Sequence, residues 1–201
     1  MMTNLSDIFR LHEKFNHISF SEVIKASSGY DIIPIDLNNS GDVKLIDELS
    51  MALQGFTKYA KSSGARFQGN RINDVGKNFE NAVQQAIDRT SITIDKLTKM
   101  GYPDFRLTQE NNRVSYLEIK VSGLNQNSRS SLRSFFYSSA AKIDCNARHL
   151  LLKVYMNEET SKYWKIASWE LKDLSTLDVS LKTEFNAGSS ELGDTKTLAH
   201  S

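Results

Sequence analysis

The 201-residue chain has one cysteine, Cys145, two prolines, Pro34 and Pro103, and a formal net charge of only +1. A single cysteine excludes an internal disulfide and fits a reducing cytoplasm. The same scarcity removes a structural zinc site: His149 stands near Cys145, but four ligands at zinc spacing are missing, so a partly buried core histidine is the better reading. Nor does any nucleophile motif surround Cys145. No apolar run approaches about 18 residues and no secretory core is visible, so the expectation is a soluble intracellular protein without a membrane segment. The near-zero charge excludes a uniformly basic nucleic-acid coat and favours a confined positive footprint over indiscriminate binding. There is no internal repeat. What is present, 39% hydrophobic and 24% charged residues, suits one globular domain with a full core.

In chain order, Ile8, Phe9, Leu11, Phe15, Ile18, Phe20, Val23 and Ile24 space as two short helices that each bury one side. Pro34 interrupts the apolar run Tyr30 to Leu37, which therefore reads as an extended connector or edge strand. Asp42 is a fair N-cap for a long helix from Val43 to about Ser62, with Leu45, Ile46, Leu49, Leu53, Phe56 and Tyr59 as its apolar stripe. A second helix is expected from Val75 to about Asp88, capped by Asn73 or Asp74. Its buried face is Val75, Phe79, Ala82, Val83, Ala86 and Ile87, and Glu80 falls beside Val83 and Ile87. Residues 92–100 are ambiguous between a strand and a short helical turn.

The chemically pointed stretch runs from Gly101 to Val121. Phe105 to Gln109 and Arg113 to Val121 are rich in aromatic and β-branched residues, and Glu110-Asn111-Asn112 between them is turn chemistry, so a β-hairpin is expected. With the turn centred on residue 111, Asp104 and Glu118 fall opposite each other. Period two puts Tyr116, Glu118 and Lys120 on one face and Leu117, Ile119 and Val121 on the other, a chemical face and a core face. Opposed carboxylates repel unless a cation offsets them. A hard divalent ion such as Mg²⁺ takes one or two carboxylates and completes its shell with water and phosphate oxygens. Lys120 points at the same place, where an ammonium can orient an attacking water or stabilise charge on phosphorus. The plainer alternative is a solvated hairpin with an ordinary Glu/Lys pair.

Here the chain resembles the PD-(D/E)xK nuclease superfamily, with Pro103-Asp104 as the PD and Glu118-Ile119-Lys120 as the ExK. The resemblance spans Val75 to about Met156. It implies a restriction-endonuclease-like α/β fold, a mixed central sheet flanked by helices, with a catalytic core at 65–185; apolar spacing adds a mostly helical N-terminal part (1–64) packed on it, and small, polar composition a mobile tail (186–201). It further implies that Asp104 and Glu118 bind Mg²⁺, that Glu80 assists at the metal, and that Lys120 helps activate water; the alternative for Glu80 is a rim carboxylate paired with a lysine or arginine. A free-standing chain of this size looks most like a type II restriction endonuclease acting as a homodimer on double-stranded DNA, with a cognate DNA methyltransferase in the same system. Competing readings are a repair nickase or junction resolvase of the same fold, a DNA-binding domain without hydrolysis, and a structural protein with a fortuitous hairpin.

After the hairpin, residues 122–131 are dense in amide, hydroxyl and guanidinium groups, the side chains that contact bases and phosphates. Asn125, Gln126, Asn127 and Arg129 are the candidate DNA contacts there. Arg133 and Lys142 join them on an expected helix from Leu132 to Ile143. Two strong strands, His149 to Met156 and Lys162 to Glu170, are expected to extend the sheet, and Leu174, Leu177, Val179 and Leu181 to form a last docked segment.

Overall fold

The hairpin forms where its residue types place it. In a computed structural model that describes residues 18–99, 101–124 and 141–180, apart from the side chains of Asn73 and Lys77, strand β4 (Phe105–Thr108) pairs antiparallel with β5 (Val114–Gly123) in the register Phe105↔Leu117 to Thr108↔Val114. That is the register centred on residue 111. The turn closes with Asn112 in the left-handed region at φ 59°, which a short amide side chain tolerates.

Of the ambiguous stretch, Thr93–Lys96 forms a strand, β3, on the outer edge of β4. On the other side β5 runs parallel to β6 (Arg148–Thr160), which turns into antiparallel β7 (Tyr163–Asp173). A two-residue strand, β2 (Phe67–Gln68), completes a six-stranded mixed sheet of order β2-β7-β6-β5-β4-β3. Tyr30 to Leu37 is a connector, touching the rest through an isolated bridge from Ile32 to Ala147.

Among the described residues three helices accompany the sheet: α1 (Phe20–Ser28), α2 (Ser40–Ser63) and α3 (Ile72–Ile87). Leu45, Leu49, Leu53 and Ala60 of α2 and Val75, Phe79, Val83 and Ile87 of α3 bury against Leu117, Ile119, Leu150, Leu152 and Val154 of the sheet. The stripe on α2 thus continues to Ala60, and Tyr59, expected inside, is 69% exposed. Successive spacings of three and four from Leu53 reach 56 and 60, one step past Tyr59.

The chain divides into two compact units, Ser19–Leu177 and Met1–Ile18 with Asp178–Ser201. A two-stranded ribbon of β1 (Ile18–Ser19) with β8 (Asp178–Val179) belongs to the second save for Ser19, which is counted with the first. The expected helix at Leu132 to Ile143 falls largely outside the described residues. Leu174 is buried, while Leu181 also falls outside them. Among the described residues no helix is long and apolar enough to cross a membrane.

Asp42 departs from its expected role. Asn39 is the N-cap of α2, its side chain accepting from the backbone N–H of Gly41 (3.0 Å) and Asp42 (3.3 Å), so the helix starts earlier than the sequence suggests. Asp42 is wholly buried, its carboxylate 2.5 Å from Arg113 Nη2 and 2.6 Å from Arg148 Nε. Arg113 passes so close over Gly41 that a Cβ there would lie 1.9 Å from its guanidinium, which is why position 41 takes glycine. The three charges tie the start of α2 to the turn before β5 and to β6. Removing one partner of a buried ion pair leaves the others uncompensated. Asp42→Ala is therefore expected to cost about 3–5 kcal/mol in a denaturant melt, whereas the exposed pair Lys25–Asp31 should cost under about 1 kcal/mol when broken.

Candidate active site

The site is built where the hairpin opens. Asp104 stands just before β4, and its Oδ2 accepts the backbone N–H of Ile119 at 2.8 Å, which fixes the carboxylate against β5 beside Glu118. The backbone carbonyl of Asp104 accepts the N–H of Leu97 at 2.8 Å. The turn before it contains Gly101, at φ 98°, and a cis Tyr102-Pro103 peptide.

Glu118 is only 3% exposed. Its Oε1 accepts from the Lys120 ammonium, while its Oε2 is buried with no hydrogen-bond partner. Burial first, and then the negative charge of Asp104, push the Glu118 carboxyl up to about 7, against the opposing pull of Lys120 and Lys142. A buried carboxylate oxygen without a donor, facing a second carboxylate, is a poor structural element and a good cation ligand. On that ground the residues present fit a divalent ion held by Asp104 and Glu118.

Glu80 is placed differently. Its carboxylate pairs with Lys96 of β3 at 2.8 Å, and among the described residues no group of three or more ligating side chains is gathered tightly enough to hold a metal unaided. Its charge does reach the centre, being felt at Lys142 together with those of Asp104 and Glu118. Lys142, expected at the DNA backbone, is part-buried and donates from Nζ to the carbonyls of Gly101 and Pro103, both at 2.6 Å. Asn125, Gln126, Asn127, Arg129 and Arg133 lie outside the described residues.

The chemical face of β5 is less open than period two suggests. Tyr116, level with His149 on β6, is wholly buried, and its hydroxyl donates to Asp144 at 2.7 Å. His149 is wholly buried too, with Nδ1 2.8 Å from the Tyr102 hydroxyl and an edge-on contact with Tyr116. Tyr102 in turn meets Phe20 of α1 edge to face, with centroids 5.4 Å apart. Burial drives the His149 imidazole down to about 4, so it is neutral at working pH. This second, smaller core carries the turn that ends in Asp104. Sequence reading missed Tyr102 and His149 as its supports because they meet only once β5 and β6 lie side by side. Cys145 has its thiol pushed above the usual range, burial leading, consistent with a thiol that is no nucleophile.

Among known proteins, the sequence profile of the type II restriction enzyme MjaV family matches residues 13–196. The type II restriction enzyme MjaV of Methanocaldococcus jannaschii is 33% identical over 196 residues, spanning 87% of this chain and 84% of that enzyme. A crystal structure of the restriction endonuclease BglI bound to its DNA recognition sequence matches 52% of this chain and 55% of its own, with TM-score 0.33 and 13% identity.

Proposed function

The chain belongs to the type II restriction enzyme MjaV family, a class of sequence-specific DNA endonucleases, and from that premise we propose that it hydrolyses double-stranded DNA at the centre formed by Asp104, Glu118 and Lys120, with Mg²⁺ as cofactor. The observation that carries this reading is the buried Glu118 carboxylate, opposed by Asp104 and left with one oxygen unpartnered.

Asp104 and Glu118 are the metal ligands, and Glu80 assists through its charge or a bridging water. When bound, Mg²⁺ supplies Lewis-acid stabilisation of the attacked phosphate and a more acidic water. Asp104, anchored by Ile119 N–H, keeps its charge in one place without further reorganisation. Lys120 Nζ, held on Glu118, orients the attacking water and offsets charge growing on the phosphate oxygens. Burial around Glu118 thins the water between these groups, which strengthens each interaction.

DNA contacts are assigned to Asn125, Gln126, Asn127, Arg129 and Arg133. A homodimer supplies two centres for two strands and matches a palindromic site, a methyltransferase of the same system would protect host DNA, and the enzyme is placed in the cytoplasm. Residues 65–185 form the catalytic core of this reading.

The test is digestion of phage-sized duplex DNA with Mg²⁺ and, in parallel, with EDTA. Discrete fragments that need Mg²⁺, and that disappear with Lys120→Met, are expected. Cleavage that persists in EDTA would overturn the metal assignment, and Mg²⁺-dependent cleavage undiminished in Lys120→Met would remove that residue from the centre.

A further inference from the structure

Lys142 lies outside the PD and ExK segments, on the chain entering β6, yet its ammonium ends at the centre. Both carbonyls that receive it, those of Gly101 and Pro103 at 2.6 Å each, belong to the turn that delivers Asp104. Other holds on that turn include the Tyr102 hydroxyl on His149, the Asp104 carbonyl on Leu97 N–H and the Asp104 Oδ2 on Ile119 N–H. The Lys142 ammonium thus joins the Gly101 and Pro103 carbonyls while lying within electrostatic reach of Asp104 and Glu118, and Lys120 is already engaged with Glu118. Lys142 brings a second positive charge that Glu118 feels; burial pulls its ammonium below the usual lysine range, and the charges of Asp104, Glu118 and Glu80 oppose that pull.

From this bridge across Gly101 and Pro103 we infer that Lys142 is a positioning residue of the metal centre, holding the Gly101–Asp104 turn so that the Asp104 carboxylate stands opposite Glu118. The inference rests on the reading of Asp104 and Glu118 as metal ligands. It assigns Lys142 a task other than DNA contact, and the two tasks predict opposite patterns. A lysine that only adds positive charge repels a divalent ion, so its removal tightens metal binding. Removal of a lysine that places a ligand loosens metal binding, by roughly 10–100-fold for residues that support metal ligands. Loss of a lysine on a DNA phosphate leaves metal binding alone, weakens DNA binding across sequences and lowers its salt dependence.

The experiment measures Ca²⁺ affinity of the full chain by calorimetry without DNA, for wild type, Asp104→Asn, Lys142→Met and Lys142→Arg, followed by kcat and KM with Mg²⁺. Lys142→Met is expected to weaken Ca²⁺ binding at least about 10-fold and to lower kcat with KM little changed. Lys142→Arg, which keeps a forked cationic donor for two carbonyls, should restore affinity to within about 3-fold. If thermal melting shows that the Met variant does not fold, Lys142→Gln replaces it, since an amide can still donate to one carbonyl. Tighter Ca²⁺ binding in the uncharged variant, or a change confined to KM and its salt dependence, would overturn the inference. Wild type that binds no Ca²⁺ would overturn the underlying ligand reading as well. Binding by wild type but not by Asp104→Asn upholds that reading and leaves Lys142 to be decided by its own variants.

Discussion

Asp104→Asn is expected to lower the single-turnover cleavage rate by about 10³-fold or more while the protein stays folded. The amide oxygen can still accept the Ile119 N–H that holds the native carboxylate, so the turn keeps its hydrogen bond and only the charge is lost. The charge is what the centre needs, since a neutral amide is a weak ligand for a hard cation. Removing it also removes one of the two causes that hold the Glu118 carboxyl high, so the metal-free variant should melt no lower than wild type. Rapid-quench cleavage and a thermal melt on the same preparation check both halves. A variant that cuts within 10-fold of wild type would take Asp104 out of the reaction.

Glu118→Gln should produce a large stability change, and in the direction opposite to most substitutions in a buried site. A carboxyl raised from 4.5 to about 7 in the folded protein binds its proton more tightly folded than unfolded. Between those two values the folded state holds the extra proton, so stability falls as pH rises. The cost is absent below about pH 4.5, grows through the window and is complete above about pH 7, where it reaches on the order of 3 kcal/mol. Glutamine cannot ionise and escapes it. Metal-free Glu118→Gln is therefore expected to melt higher than wild type at pH 8, on the order of 8 °C, and to match it near pH 4.5. Cleavage should be lost at every pH. His149, neutral at about 4, acts with the opposite sign: its stabilisation is present above about 6.5 and is lost as pH falls toward 4. Because His149 is common to both proteins, the difference between the two melting curves isolates Glu118. Equal melting points at pH 8 would contradict the buried, cation-seeking carboxylate.

The hairpin was legible because turn chemistry and period two act locally. Centring on residue 111 gives the observed register, and that register alone brings Asp104 to Glu118. The two long helices were legible for the same reason, through their apolar spacing. Their starts were not: Asn39 caps α2, and Asp42, which looks like a cap, serves a buried pairing with Arg113 and Arg148. Those arginines come from the turn and from β6, so their meeting with Asp42 depends on the finished sheet. Tyr102 and His149, and the grip of Lys142 on the turn, were hidden in the same way. Glu80 shows the limit of reading a helix face, since its position beside the apolar stripe was apparent, while its partner Lys96 arrives from the edge strand. The identity of the proposed ligands thus lies in local motif, and their support lies in contacts between strands that sequence separation conceals.

The most direct test of the centre is anomalous diffraction from crystals grown with Mn²⁺ in place of Mg²⁺, which locates the ion without reference to activity. The account predicts a peak between the Asp104 and Glu118 carboxylates in wild type, absent from Asp104→Asn crystals of the same form. A peak elsewhere on the protein, or none at this pair in crystals soaked to saturation, would contradict it.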